Sequence, residues 1–414
     1  MGDNIWVTNI NDDMNRFDKQ AEAQVWKNLS IYKVPQYMKT GDPHGAAYKP
    51  QIVSIGPYHF GEEHLKPMEE HKRRALLHLL KETEKTVSDF LNSLRDILLE
   101  LKNSYEQLDS NWTDDKFLQL MVLDGCFVIE ILRKNFSNYD LSDPIFSEQR
   151  QPTTIEYIKR DMLLMENQLP LLVLEKFVAI IAKATVGVQS DINSDIKSLM
   201  LKFYFPADET MTYTGEGKHM LDVVRKSMVQ SPTVNIVTQE FIGTSQFGYC
   251  LMNICPVVYK SKKIANSSYH GTNSKKTISN NRSAMVLSQA GINFERESTY
   301  NLKDITFKNV SGSLHLPTIT IEHNSESMFL NFIAFEQLHL EKSRFISSYF
   351  IFMYGLITSA NDVGLLRDKE IIKSSISCDD TIRDIITRLA KGLSFGKDDN
   401  LCEIQQELND YYMG

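Results

Sequence analysis

Cysteine is scarce in this chain and poorly placed for chemistry. The five among 414 residues are Cys126, Cys250, Cys255, Cys378 and Cys402. They are odd in number and no two form a Cys-x-x-Cys pair, which excludes a zinc knuckle and a thioredoxin-type site. Cys126 and Cys402 lie among apolar residues, as buried thiols do, and the set suits a reducing compartment. An excess of positive charge is also missing. The formal net charge is −8, the opposite of what a nucleic-acid binder carries, so no nucleic-acid partner is expected. Long apolar runs are absent too: none reaches the roughly 18 residues of a membrane helix. The best attempt, 117–132, is interrupted by Gln119, Asp124 and Glu130 and reads as a buried helix. Residues 1–27 lack the apolar core of a signal peptide, and Trp6 stands where a myristoylation signal has Ser or Thr. No Gly-rich phosphate loop, Rossmann fingerprint, His-Glu-x-x-His or Gly-x-Ser-x-Gly elbow occurs.

What remains is ordinary globular composition, 42% hydrophobic and 24% charged, in a chain long enough for one large domain. Residues 1–27 are polar and acidic and are expected to form a loosely attached extension. Residues 28–413 read as a single domain in three parts. The first, 28–203, begins with turns and a short strand at 51–55. A long amphipathic helix follows over 67–108, its apolar residues recurring every three or four positions. Two very apolar helices come next, near 114–135 and 154–183, the second kinked or divided at Pro170. Another helical segment spans 184–203. The second part, 204–283, is a loop-rich insertion with strands at 232–240 and 256–260. The third part, 284–413, holds a small sheet and helices. Residues 283–291 have a Ser start and a Gly stop, strands follow at 292–296, 304–307 and 314–321, and helices lie near 325–340, 343–359, 361–373, 380–392 and 399–412. The predicted fold class is α+β, predominantly α-helical, with a helical lobe packed against a C-terminal lobe that carries a small antiparallel sheet.

Several groups invite a chemical reading. His59, His64 and His71 lie near Glu62, Glu63, Glu69 and Glu70, but five- and seven-residue separations across Gly61 and Pro67 do not put metal ligands on one face. Neither a metal nor a cofactor is expected. Ser54 has no Gly-x-Ser-x-Gly context, and Gly56 before Pro57 reads as a tight turn. Asp124, Glu130, Asp161, Glu166, Asn167 and Gln168 fall within apolar segments. They read as a buried polar network with Arg133, Lys159 or Arg160 as partners, since buried charge must be paired. Lys260, Lys262, Lys263, Lys275, Lys276 and Arg282 carry the charge of residues 260–282, with no acid among them. These six are the candidate partner-binding residues, and specificity is expected in 206–218 and 260–282. Asn-x-Ser/Thr sequons at Asn28, Asn111, Asn135, Asn266, Asn281 and Asn309 matter only in a secretory lumen.

Two blocks carry a resemblance. One runs from Ile31-Tyr32-Lys33-Val34-Pro35 through Ser54-Ile55-Gly56-Pro57-Tyr58-His59 to Met68-Glu69-Glu70-His71-Lys72. The other is Asp161-Met162-Leu163-Leu164-Met165-Glu166-Asn167-Gln168-Leu169-Pro170. Weaker blocks follow in order: Leu123-Asp124-Gly125-Cys126-Phe127, Asp143-Pro144-Ile145-Phe146, Ala290-Gly291-Ile292, Ile333-Ala334-Phe335-Glu336-Gln337 and Leu408-Asn409-Asp410-Tyr411-Tyr412. Together they resemble the plant family called domain of unknown function 247, over nearly the whole chain. The resemblance implies structural roles for Pro35, Ser54, Gly56, Pro57, His59, Met68, His71, Asp124, Gly125, Cys126, Asp161, Glu166, Asn167, Gln168 and Pro170.

Members of that family typically continue past the Tyr-Tyr element into a basic segment and one hydrophobic helix. The resemblance therefore implies a plasma-membrane protein anchored by a C-terminal tail that this chain lacks, the chain itself being soluble. Arg73-Arg74-Ala75-Leu76-Leu77-His78 is similar to the grass branch, some of whose members are implied to be pollen-side determinants of self-incompatibility. The expectation is a non-enzymatic recognition or signalling protein with a protein partner, small and secreted or membrane-bound. The alternative is an enzyme using the His59/His64/His71 region or the Asp124/Asp161/Glu166 carboxylates.

Overall fold

Capping residues and prolines, more than apolar periodicity, decide where the helices of this protein begin and end. The computed structural model describes residues 5–39, 45–133, 139–147, 152–184, 195–206, 213, 215–229, 282–339, 343–396 and 400–413. The predicted strands at 232–240 and 256–260 lie outside these, as does the insertion's basic run except Arg282.

The N-terminal extension is helical, where only a polar, loosely attached stretch was expected from its composition. It forms α1 (Ile5–Arg16) and α2 (Lys19–Asn28), the second capped by Asp18. No residue of α1 is buried. Trp6, Val7, Ile10, Met14 and Phe17 fall within an arc of about 100°, and they are 67%, 45%, 46%, 68% and 62% exposed.

The predicted helix over 67–108 is three helices: α3 (Lys66–Thr83), α4 (Val87–Arg95) and α5 (Leu98–Asn103). A left-handed Glu84 ends the first, and a reciprocal cap between Thr86 and Asp89 starts the next. The apolar stripe is real, but this local stop-and-start signal overrides it. In α6 (Asp114–Arg133), Gly125 faces α8, and a Cβ there would lie 2.6 Å from the Phe177 ring. The expected helix near 154–183 is α7 (Pro152–Asp161) and α8 (Leu171–Ala184), with all of 162–170 non-helical between them. Pro170 divides the pattern as expected, but the preceding residues leave the helix too, because their polar side chains bond elsewhere.

Two further helices are α9 (Ile196–Tyr204) and α10 (Met220–Ser227). The latter lies inside the segment read as loop-rich. It buries Met220, Leu221, Val223 and Val224, a stripe too short to stand out among its polar neighbours.

In the C-terminal part, α11 (Ala284–Gln289) has the expected ends: the Ser283 side chain accepts from the Val286 amide, and Gly291 has φ 92°. Strands β1 (Asn293–Arg296), β2 (Thr306–Lys308) and β3 (Ser313–Leu316) form a sheet in the order β1-β3-β2. The sheet is mixed, where antiparallel pairing was predicted. β2 runs antiparallel to β3, but two chain reversals return β3 parallel to β1. The expected strand 314–321 is cut at Pro317, which lacks an amide donor. Its remainder, β4 (Ile319–Thr320), pairs in parallel with β5 (Ile372–Lys373). Helices α12 (Ser325–Leu338), α13 (Phe345–Leu356), α14 (Ala360–Asp368), α15 (Asp379–Ala390) and α16 (Leu401–Met413) follow close to the predicted positions.

The whole is predominantly α-helical, α+β in class. One connected apolar core runs from Leu29 to Leu408, so both lobes share it. Among the described residues no single helix is long and apolar enough to cross a membrane.

Candidate functional site

The strand expected at 51–55 does not form: the chain bends at Gln51 and Ile52, and the segment joins no sheet among the described residues. An irregular backbone in the interior needs partners for its amides, and here side chains supply them. Asp161 Oδ2 accepts from the amides of Gln51, Ile52 and Val53 at 2.9, 2.7 and 3.1 Å. Asn167 accepts from the Ile55 amide at 2.6 Å and donates to the Val53 carbonyl at 3.0 Å. Asp124 accepts from the Gly56 amide at 2.8 Å. The two most specific motifs are therefore one structural unit, laced together by side chains.

Gly56 sits where this lacing turns. Its φ is 75°, and a Cβ there would lie 2.5 Å from the Gln168 carbonyl oxygen. Gln168 holds the other side of the joint: its amide nitrogen donates to the carbonyls of Met162 and Leu164, and its side-chain oxygen accepts from the Leu221 amide. That bond ties the non-helical 162–170 stretch to α10. Pro57 and Pro170 are both buried.

The buried charges are paired. Lys72 Nζ lies 2.7 Å from Asp124 and 2.7 Å from Glu69, and both Lys72 and Asp124 are fully buried. Burial pushes the Asp124 carboxyl up to about 6, against the pull of Lys72. Arg160 pairs with Asp161 at 2.8 Å, and burial raises Asp161 as well. Ser54 donates to Glu69 and accepts from Lys72, so its hydroxyl is held within that ion pair. Glu130 pairs with Arg133 and accepts from Tyr139. Arg133 and Arg160 are partners named from sequence, whereas Lys159 pairs with Glu156 near the surface. Lys72 was missed, although its signal is present: with Met68, Ala75 and Leu79 it lies on the buried face of α3.

Of the histidines, His59 is buried between two carboxylates, its Nδ1 2.6 Å from Glu62 and its Nε2 3.5 Å from Glu166. Burial would lower its pKa, but Glu166 and Glu62 outweigh burial and raise it. Glu166 is held below its usual range: burial is outweighed by His59, by Lys39 and by the Val34 amide beside Pro35. His64 is exposed and bonds the Pro50 carbonyl, and His71 accepts from Arg74. Burial and then Arg74 lower the His71 pKa. Among the described residues no three His, Cys, Asp or Glu side chains converge as a metal-binding set. Met68, Gly125 and Cys126 serve the apolar core, and Arg282 stacks on Tyr412 at 4.8 Å.

A second buried cluster was not foreseen. His219 caps α10, bonds the Ser30 carbonyl at 3.0 Å, and is lowered to about 4 by burial. Arg225 pairs with Asp222 and Glu336, and Glu336 accepts from the Ile346 and Ser347 amides at the start of α13. The spacing His-x-x-Asp-x-x-Arg is a cap followed by an i,i+3 pair, and it was the available signal.

The motif residues leave little space. The gap beside Ile55, Asn167 and Gln168 is about 10 Å³, enough for roughly one water. A cavity of about 410 Å³ lies elsewhere, between α7, the ends of α9 and α10, β4, β5 and the first turns of α12. Leu163, Tyr204, Phe205, Met228, Met328 and Phe329 form much of its wall.

Comparison with known proteins places relatives in plants. The profile of the DUF247 family, described as a plant protein of unknown function, matches residues 31–414. A curated Arabidopsis thaliana protein, UPF0481 protein At3g47200, is 29% identical over 93% of this chain and 77% of its own length. A second Arabidopsis UPF0481 protein, At3g02645, is 21% identical over 99% of this chain and 87% of its own length. No solved structure matches.

Proposed function

We propose that this chain, which belongs to the DUF247 family of plant proteins, works without catalysis, by recognising a protein partner. The supporting observation is α1. Its arc of Trp6, Val7, Ile10 and Met14, with Phe17 just beyond its end, is exposed, and exposed apolar surface of this kind marks interaction sites. A helix of 12 residues is marginal by itself in water, and a partner groove that covers the apolar face would stabilise it. The carboxylates that an enzyme reading would use already accept backbone amides or pair with buried cations, in close-packed surroundings. Attachment to a membrane through a C-terminal tail, and a recognition role of the self-incompatibility type, complete the proposal; both rest on the resemblance described above. Residues 206–218 and 260–282, mostly outside the described residues, remain proposed determinants of partner choice.

The test is affinity capture from native tissue, comparing the wild-type chain with a Trp6→Ser, Ile10→Ser, Met14→Ser variant. A partner that co-purifies with the wild type and is lost from the equally stable variant is the expected result. An unchanged set of partners would remove α1 from the proposal. A chemical turnover abolished by Asp124→Asn at unchanged stability would overturn the non-catalytic reading.

A further inference from the structure

The cavity beside α7 is independent of the α1 surface, and its lining describes a ligand. Its volume of about 410 Å³ lies within the roughly 300–1,000 Å³ typical of small-molecule sites. Aromatic and thioether side chains recur in the wall: Tyr204, Phe205, Tyr300, Phe329, Met228 and Met328. Such a wall favours a flat, polarisable body.

The charged groups of the lining are nearly all committed to neighbours. Lys159 pairs with Glu156 at 2.9 Å, and Arg160 binds Asp161 and two backbone carbonyls. Glu322 accepts from the Ser375 amide at 3.0 Å and from its hydroxyl. Lys373 differs. It is exposed at the end of β5, and among the described residues it has no ion-pair partner.

We propose that this cavity binds a small aromatic monoanion, its ring body against Phe205, Met328 and Phe329 and its single acidic group at Lys373. A second negative charge would meet Glu156 or Glu322, which also line the cavity.

Fluorescence titration of the full chain tests this with two probes of similar shape. Anilinonaphthalene sulfonate is an aromatic monoanion, and phenylnaphthylamine is its uncharged counterpart. One sulfonate per chain is expected, bound more tightly than the amine. Met328→Trp, which fills the cavity, is expected to weaken both probes by about tenfold or more, the scale of a lost buried contact. Lys373→Ala is expected to weaken the sulfonate by about fivefold, the reach of one ion pair, and to leave the amine unchanged. Lys373 is exposed, so this variant folds and decides the matter even if Met328→Trp does not. Equal binding of the two probes, or Lys373→Ala acting on both alike, would overturn the anion assignment. Loss of the signal in the Trp6→Ser, Ile10→Ser, Met14→Ser variant would place the probes on α1 and overturn the cavity assignment, while leaving the recognition proposal in place.

Discussion

Residues 51–56 and strand β3 are both largely buried, and their amides are satisfied in different ways. β3 takes its hydrogen bonds from the backbones of β1 and β2, so its pairing depends on spacing and not on which side chains the neighbours carry. Residues 51–56 take theirs from Asp161, Asn167 and Asp124, and each bond needs that one side chain. A ladder tolerates substitution; a side-chain lacing does not. The motif-rich character of 51–59 and 161–170 follows from this, without any appeal to catalysis.

Substitutions can break the comparison, and the largest effect is expected at the lacing. Asp124→Ala leaves buried Lys72 with Glu69 as its remaining carboxylate partner and orphans the Gly56 amide. A loss of about 3–5 kcal/mol in urea unfolding is expected, the usual result of removing one member of a buried pair. Asp161→Ala, which orphans three amides and removes the carboxylate partner of Arg160, belongs to the same class.

Acid should separate the second buried cluster from the first. His219 is held near 4 in the fold against an ordinary 6.5, so between those values the unfolded chain takes the proton first and stability falls as pH drops. Asp124, raised to about 6 by burial, takes its proton first in the folded state, so acid from about pH 6 down to about 4 acts in the opposite direction there. Comparing wild type with His219→Asn isolates the histidine. The wild type is expected to lose about 3 kcal/mol more than the variant from pH 7 to pH 4, by the linkage value of its shift. Parallel pH curves for the two proteins would refute the assignment.

A smaller cost is expected at Gly56→Ala, where strained backbone and a clash with the Gln168 carbonyl together amount to about 2–3 kcal/mol. The smallest effect belongs to the ladder. Thr306→Ala, on the exposed face of β2 opposite His315, should change stability by less than about 1 kcal/mol. A Thr306 effect as large as the Asp124 effect would remove the contrast between the two regions.

What the sequence disclosed divides along the same line. The Ser283 and Gly291 ends of α11, and the helices from 325 onward, were legible because a cap, a stop and a periodicity are local facts. The tight turn at Gly56 was legible, but the absence of a strand at 51–55 was not, because the side chains that hold 51–56 lie 68 to 114 positions away. Arg160 could be named as a partner of Asp161 because it is adjacent in sequence. Lys72 reaches Asp124 from another helix, and only its place on the apolar face of α3 hinted at burial. The parallel pairing of β1 with β3 and the cavity between α7 and β4 arise from how distant elements meet, which no window of sequence contains.

The distances in that lacing set an order of events during synthesis. Residues 51–56 leave the ribosome long before Asp161 and Asn167 exist to receive their amides. At roughly 5–20 residues per second the interval is on the order of ten seconds. During that time Val53 and Ile55, fully or almost fully buried in the finished protein, have no interior to enter. The early third of the chain is therefore expected to be a client of whatever shields nascent apolar segments. Chains arrested near residue 150 should be cut by protease at 51–56, and chains arrested after the core is complete should not.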